Sequence, residues 1–285
     1  MIELIDITYA RIGASDLDSS VAFAHDLVGL EIVDSDANGV YLRGDGRDHN
    51  LYLFAGDPRD HTTAFAVRSE SDLRQAADAL KASGFDIHIG SDRECHDRRV
   101  HAFVNFRDPS GNSIDLVARP FHSGRPCHLA RGAGITAFGH VGLNSTNPKR
   151  DEKFWTEVCN ARVSDWIGQA PLLRIDAVHH KIALFPTDRP GIQHINFQAR
   201  TIDDIMRSWY FLTANQVRIA FGPGRHPTSG AMFLYFYGPD DVIYEYSCGV
   251  RLIEGEEGYV PRQFPAGPTS FCTWGAKPDI GAFDA

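Results

Sequence analysis

The sequence predicts an α+β chain in which paired βαβββ modules are repeated in tandem, each pair forming an incomplete barrel. Three observations predict it. Residues recur at a near-constant spacing between the halves, each half presents the same order of strand and helix signals, and matched proline turns close both. Tyr9, Ala22-Phe23, Leu42-Arg43, His49 and Phe54 recur 131 positions later as His140, Lys153-Phe154, Leu173-Arg174, His180 and Phe185. The spacing becomes 132 at Phe65 and Arg68 (Phe197 and Arg200), and 130 at His96, Pro109 and Asp115 (His226, Pro239 and Glu245). A match this long means one structural unit used twice.

The first unit opens with a strand over Asp6 to Ile12. Ser15 with Asp18 has the form of a capping box ahead of an apolar-periodic run to Leu27. Alternating strands follow at Gly39 to Leu42 and Asn50 to Phe54. The unit then begins again with a strand at Thr63 to Val67 and a helix from Ser71 to Ala82, which Gly84 stops. Strands at Ala102 to Asn105 and Ser113 to Ala118 flank the turn Asp108-Pro-Ser-Gly111.

In the second half the opening strand is Ala137 to Asn144. Asn147-Pro148 starts the helix carrying Phe154 and Trp155, since proline suits a first helical turn. Strands at Leu172 to Ile175 and Lys181 to Phe185 come next. Gln193 to Ala199, a helix from Ile202 to about Leu212, and strands Met232 to Tyr237 and Val242 to Ser247 around Gly238-Pro-Asp-Asp241 complete the copy. The chain thus divides into a first repeat domain over 1–120 without a metal site, a linker over 121–134, a metal-binding domain over 135–250, and a tail over 251–285. The tail has no counterpart in the first half; it is expected to be irregular and to lie over the site with Phe271, Trp274 and Phe283.

A chain of 285 residues, 43% hydrophobic and 23% charged, is a soluble globular protein of two ordinary domains. Its net charge of −9, without a basic stripe, argues against a nucleic-acid partner. No run of 18 apolar residues crosses a membrane, and the start MIELIDITYARIG has neither the basic nor the apolar region of a signal peptide. Cys95, Cys127, Cys159, Cys248 and Cys272 are odd in number and scattered, which fits reduced thiols in a cytoplasm.

Strand periodicity places the chemistry. In His140-Val-Gly-Leu-Asn144 residues 140, 142 and 144 share a face; in His194-Ile-Asn-Phe-Gln198 residues 194, 196 and 198 do; and Glu245 alternates with Tyr244 and Tyr246. Three strands therefore each put one metal ligand on a polar inner face. One histidine on a strand is an ordinary core or surface residue. Three ligands whose first-copy counterparts are Tyr9, about Thr62, and Asp115 are a different matter. Two imidazoles and one carboxylate that leave open positions describe the facial triad of non-haem iron(II) oxygenases.

The segment from Gly224 to Glu245 resembles the signature of the type I extradiol ring-cleaving dioxygenases, two-module members of the vicinal oxygen chelate superfamily with a glyoxalase-like fold. The matching residues are His226, the aliphatic-Tyr pair Leu234-Tyr235, Pro239 and Glu245, with nine residues from His226 to Tyr235 and ten more to Glu245. The resemblance covers the whole chain. It implies iron(II), or manganese(II), held by His140, His194 and Glu245, a catecholic substrate and dioxygen as partners, ring cleavage to a yellow muconic semialdehyde type of product, and a homo-oligomer. It further implies an acid–base histidine fourteen residues before the second ligand. His180, in His180-Lys-Ile-Ala-Leu184, fits, and its neighbour His179 is the weaker candidate because alternation would turn it to the opposite face. Tyr235 and His226 would hydrogen-bond substrate oxygens.

Candidate pocket residues are Asn196, Phe197, Trp166, Phe271 and Trp274, with Arg174 and Arg225 as partners for a substrate carboxylate. Two other functions share the fold. A metal-free small-molecule binding protein needs no triad, and a glyoxalase-like isomerase takes ligands, two of them glutamates, from two modules.

Overall fold

The computed structural model describes residues 1–283, so the last two positions of the expected tail lie outside the described residues. Four βαβββ units follow one another. The first module holds β1 (Asp6–Ala14), α1 (Leu17–Ala22), β2 (Glu31–Ser35), β3 (Gly39–Arg43) and β4 (Leu51–Ala55). It continues with β5 (His61–Val67), α2 (Glu70–Ala82), β6 (Ile87–Ile89), α3 (Asp92–Arg98), β7 (Val100–Arg107) and β8 (Ser113–Pro120). The second holds β9 (Ile135–Ser145), α4 (Pro148–Lys153), β10 (Arg162–Ile167), β11 (Ala170–Arg174) and β12 (Ile182–Pro186). Then come β13 (Gly191–Ala199), α5 (Ile202–Ala214), β14 (Ile219–Arg225), β15 (Met232–Tyr237) and β16 (Ile243–Cys248).

No sequence signal marked β2, β6, β10 or β14. β2, β10 and β14 are broken by register shifts, and β6 is three residues long, so none shows a sustained alternation. The tail is not wholly irregular: β17 (Arg262–Phe264) pairs in parallel with β10 and extends the sheet. Ser15 and Asp18 do not form a capping box. Asp16 is the N-cap of α1 and accepts from the Ser19 amide, while Ser15 donates its backbone N–H to Asp240 of the second module at 2.9 Å. Asn147 caps α4 as expected. Both α1 and α4 widen into π-helical turns, Phe23–Val28 and Phe154–Val158.

Each module is one open sheet. The orders are β2-β3-β4-β1-β5-β8-β7-β6 and β14-β15-β16-β13-β9-β12-β11-β10-β17. In each, two units meet antiparallel at the centre (β1 with β5, β9 with β13), while the strand that closes each unit runs parallel to the one that opens it. Residues from both wings of the second sheet line one cavity, so the sheet curls into an incomplete barrel around it.

The outward-facing alternate residues of both sheets, among them Val141, Leu143, Ile195 and Phe197, join the helices in one core that runs through both modules. Trp155 is wholly buried there, edge-on to Phe65 of the first module at 5.4 Å, and Phe154 lies 5.0 Å from Phe85. The modules are thus tied by shared aromatic packing. Trp155→Ala is expected to cost about 3–5 kcal/mol, read as a lowered urea midpoint, with both modules still unfolding in a single transition.

Candidate metal centre

Three neighbouring strands of the second sheet, in the order β16-β13-β9, carry the three expected ligands. Strand register fixes their heights: Asn196 of β13 lies opposite both His140 and Glu245, and His194 lies opposite Gly142. A side chain at Gly142 would collide with the His194 ring, which explains a glycine in the middle of a central strand. All three ligands are buried. His140 Nε2 stands 2.9 Å from His194 Nε2 and 2.9 Å from Glu245 Oε2, and His194 Nε2 lies 3.4 Å from the same oxygen.

These distances and protonation states fit a divalent cation. Gln193 Oε1 accepts from His194 Nδ1–H, which leaves the Nε2 lone pair aimed at the centre. Burial pushes the His194 imidazole down to about 3, so it is neutral. Burial alone would raise the Glu245 carboxyl, but the surrounding imidazoles, His140 foremost, hold it well below the ordinary carboxylate range. Neither Glu245 oxygen has a hydrogen bond of good geometry, although both are buried. An ionised carboxylate without donors is costly in a protein interior. One shared proton satisfies one contact of the cluster; a divalent ion satisfies all three. Donors bound at roughly 2.1 Å and at right angles stand about 3 Å apart, close to the spacing observed.

The first module meets the same problem differently. Strand pairing puts Thr62 opposite Arg11, as His194 is opposite Gly142, so Tyr9, Thr62 and Asp115 occupy the ligand positions. Asp115 is buried, but Arg98 donates to it at 2.8 Å, Tyr9 at 2.9 Å and Asn105 at 2.8 Å. A fixed guanidinium stands in for an ion. Arg98 sits at the end of α3, a helix with no counterpart in the second module. The match of His96 with His226 is therefore one of spacing only: His96 is exposed on α3, and His226 is buried after β14.

A narrow cavity of about 20 Å³ opens beside His194 of the triad, lined by Leu172, His180, Ala183, Phe185, His226 and Tyr235 and closed by Phe271 and Phe283 of the tail. The inner face is thus mostly apolar away from the ligands. His180 packs its ring 4.3 Å from that of His140. His226 donates Nδ1–H to the Phe271 carbonyl at 2.7 Å and accepts the Tyr235 hydroxyl at Nε2 at 3.2 Å. Burial, with Glu245 nearby, raises the Tyr235 phenol well above 10, so it remains a donor.

His179 does not line the cavity. It precedes β12 rather than lying in it, so strand alternation does not govern it; it stands behind His180. Of the five expected pocket residues only Phe271 faces the space. Asn196 donates to Ser247, Phe197 lies in the outer core against Phe138, Trp166 donates to Glu152, and Trp274 is half exposed. Arg174 is committed to Glu256 and the Val163 carbonyl, and Arg225 is exposed and bound to the Gly230 carbonyl. Alternation in β12, with Ala183 and Phe185 facing inward, was the sequence signal for the true lining.

The model of the glyoxalase/bleomycin resistance protein/dioxygenase superfamily matches residues 6–116 and 137–246. Biphenyl-2,3-diol 1,2-dioxygenase of Sphingomonas paucimobilis is 24% identical, over 92% of this chain and 94% of its own length. An iron-dependent extradiol dioxygenase of Rhodococcus jostii (strain RHA1) is 25% identical, over 96% and 97%. The crystal structure of the Mn(II)-bound glyoxalase from Novosphingobium aromaticivorans superimposes with a TM-score of 0.86 at 26% identity, covering 99% of this chain and 94% of that one.

The two modules are expected to differ sharply in metal content. Elemental analysis after anaerobic loading with iron(II) should give one ion per chain, none in His194→Ala, and an unchanged single ion in Asp115→Asn.

Proposed function

The chain belongs to the glyoxalase/bleomycin resistance protein/dioxygenase superfamily, and from that premise we propose that it is an extradiol dioxygenase. It would cleave the ring of a catechol beside its two hydroxylated carbons and add both atoms of dioxygen to the product. The observation that carries this reading is the buried cluster of His140, His194 and Glu245 inside one module, whose carboxylate has no hydrogen bond of good geometry. A glyoxalase-like isomerase drawing ligands from two modules is disfavoured, because Arg98 already neutralises the first module's carboxylate.

His140, His194 and Glu245 would hold the ion, iron(II) first and manganese(II) as the alternative. Iron(II) there would supply the open coordination and the redox chemistry that ring cleavage by dioxygen needs. The remaining work falls to the chain. His180, neutral because burial and the neighbouring His140 push its imidazole well below 6.5, takes a proton from the catechol hydroxyl. Tyr235 and His226 orient the substrate oxygens by hydrogen bonding. Phe271 and Phe283 shut out water and pack on the ring, which strengthens every polar contact inside.

The lining also sets the substrate class. Among the described residues no lysine or arginine faces the cavity, and an unpaired carboxylate there would be left without a partner. The substrate is accordingly a small catechol with an uncharged, apolar substituent. The same reading places a homo-oligomer in a reducing cytoplasm, with five free cysteines in support of that compartment.

Turnover of 3-substituted catechols in air by the iron(II)-loaded protein tests the proposal. Oxygen uptake with a yellow product is expected. kcat/KM for 3-methylcatechol should exceed that for 3,4-dihydroxyphenylacetate on the order of 100-fold. His180→Ala should lower kcat by about 10²–10⁴-fold with metal content retained. Metal binding without oxygen uptake from any catechol would defeat the reading.

A further inference from the structure

A chain of buried groups runs away from the cavity behind His180. Asp165, on β10, is wholly buried and so is His179. The Asp165 carboxylate accepts from His179 Nε2 at 2.9 Å, from Arg262 Nη2 at 2.6 Å and Nε at 3.0 Å, and from the Arg262 backbone N–H at 2.9 Å. His179 Nδ1 lies 3.1 Å from His180 Nδ1, with the two rings perpendicular. Arg262 belongs to β17, so the tail holds the far end of the chain.

Hydrogen-bond direction follows from these partners. An ionised carboxylate only accepts, so His179 carries its proton on Nε2. Burial keeps His179 neutral, against the pull of Asp165. Its Nδ1 therefore holds a lone pair, and the proton between the two rings resides on His180 Nδ1. The lone pair of His180 is then on Nε2, the ring nitrogen not engaged by His179. An aspartate fixing a histidine tautomer is the logic of the serine-protease triad; here a second histidine is interposed.

The silent module lacks this chain. At the repeat spacing of 131, Asp34, Asp48 and His49 match Asp165, His179 and His180. His49 stacks on Tyr9 as His180 packs on His140, but Asp48 stands where His179 would be. Asp34 is exposed and pairs with Arg99 rather than with a ring. No imidazole bridges the acid to His49, and the tail has no counterpart there.

We propose that His179 is a positioning residue which, held by Asp165 and Arg262, sets the tautomer of His180 so that its Nε2 stands ready as a base toward the substrate. The proposal rests on His180 being the acid–base group of the reading above. Its first test does not depend on turnover. Long-range ¹H–¹⁵N spectra of the full chain, histidine-labelled with ¹⁵N and loaded with diamagnetic zinc(II), report each tautomer directly. His179→Gln identifies the His179 signals by their loss. The expected result is Nε2–H on His179 and Nδ1–H on His180; Nε2–H on His180 would overturn the proposal whatever reaction the enzyme performs.

Kinetics supply the second test. Removing such an orienting partner typically costs 10–100-fold, so His179→Leu should lose about that factor in kcat, with KM for the catechol little changed. His179→Gln keeps an acceptor for His180 and a donor for Asp165, and should recover most of the loss. A folded His179→Leu protein with full kcat, or equal losses in the two variants, would overturn it.

Discussion

An ionised carboxylate at the centre of a folded sheet must find a positive partner, and this constraint explains more of the chain than any other. The duplicated unit puts an acid at the same strand position twice, Asp115 and Glu245. In the first module Arg98, Tyr9 and Asn105 surround it, and the chain's own side chains supply the positive partner and the donors. In the second, imidazoles replace these donors and neither oxygen has a hydrogen bond of good geometry. Leaving a buried charge unmatched costs several kcal/mol. On the proposed reading a cation completes the second module, and an ion held by three ligands on one side would retain positions for other molecules.

Much of the surrounding structure follows from keeping that set open. Gly142 yields space to His194, and Gln193 fixes its tautomer. The outward faces of β9, β13 and β16 pack into the core shared by both modules, so the ligand strands cannot shift independently. The tail, unmatched in the first half, serves the site twice. Phe271 and Phe283 close the cavity, and Arg262 braces Asp165 behind His179 and His180. An element expected to be irregular is joined to the sheet by β17.

How far the site was legible in the sequence depended on the range of the interactions. His140, His194 and Glu245 sit on well-formed strands, where alternation alone assigns a face, and divergence between the copies marks them. The fold class was legible too: the repeat shows in the sequence without any contact being known, and the proline turns are local signals. His179 is expected from alternation to face away from the site, and it does stand outside the cavity, but it lies in a loop before β12, where period-two reasoning has no force. Asp165 and Arg262 were invisible, since their contact joins residues 97 apart and β10 carries a register shift. Asn196 and Phe197 are candidate pocket residues by sequence, yet neither lines the cavity: Phe197 packs in the outer core and Asn196 is bound to Ser247. The capping of α1 failed by one residue because Ser15 is drawn to Asp240, a contact between modules that no local motif encodes.

The most direct test of the central claim is diffraction from crystals loaded anaerobically with iron(II) and 3-methylcatechol, with anomalous data collected at the iron edge. The account predicts a single anomalous peak per chain, bounded by His140, His194 and Glu245, with the catechol ring in the apolar cavity beside His180 and Tyr235. A peak at Asp115 in the first module, or a second-module cluster that stays metal-free while the crystal takes up iron elsewhere, would contradict it.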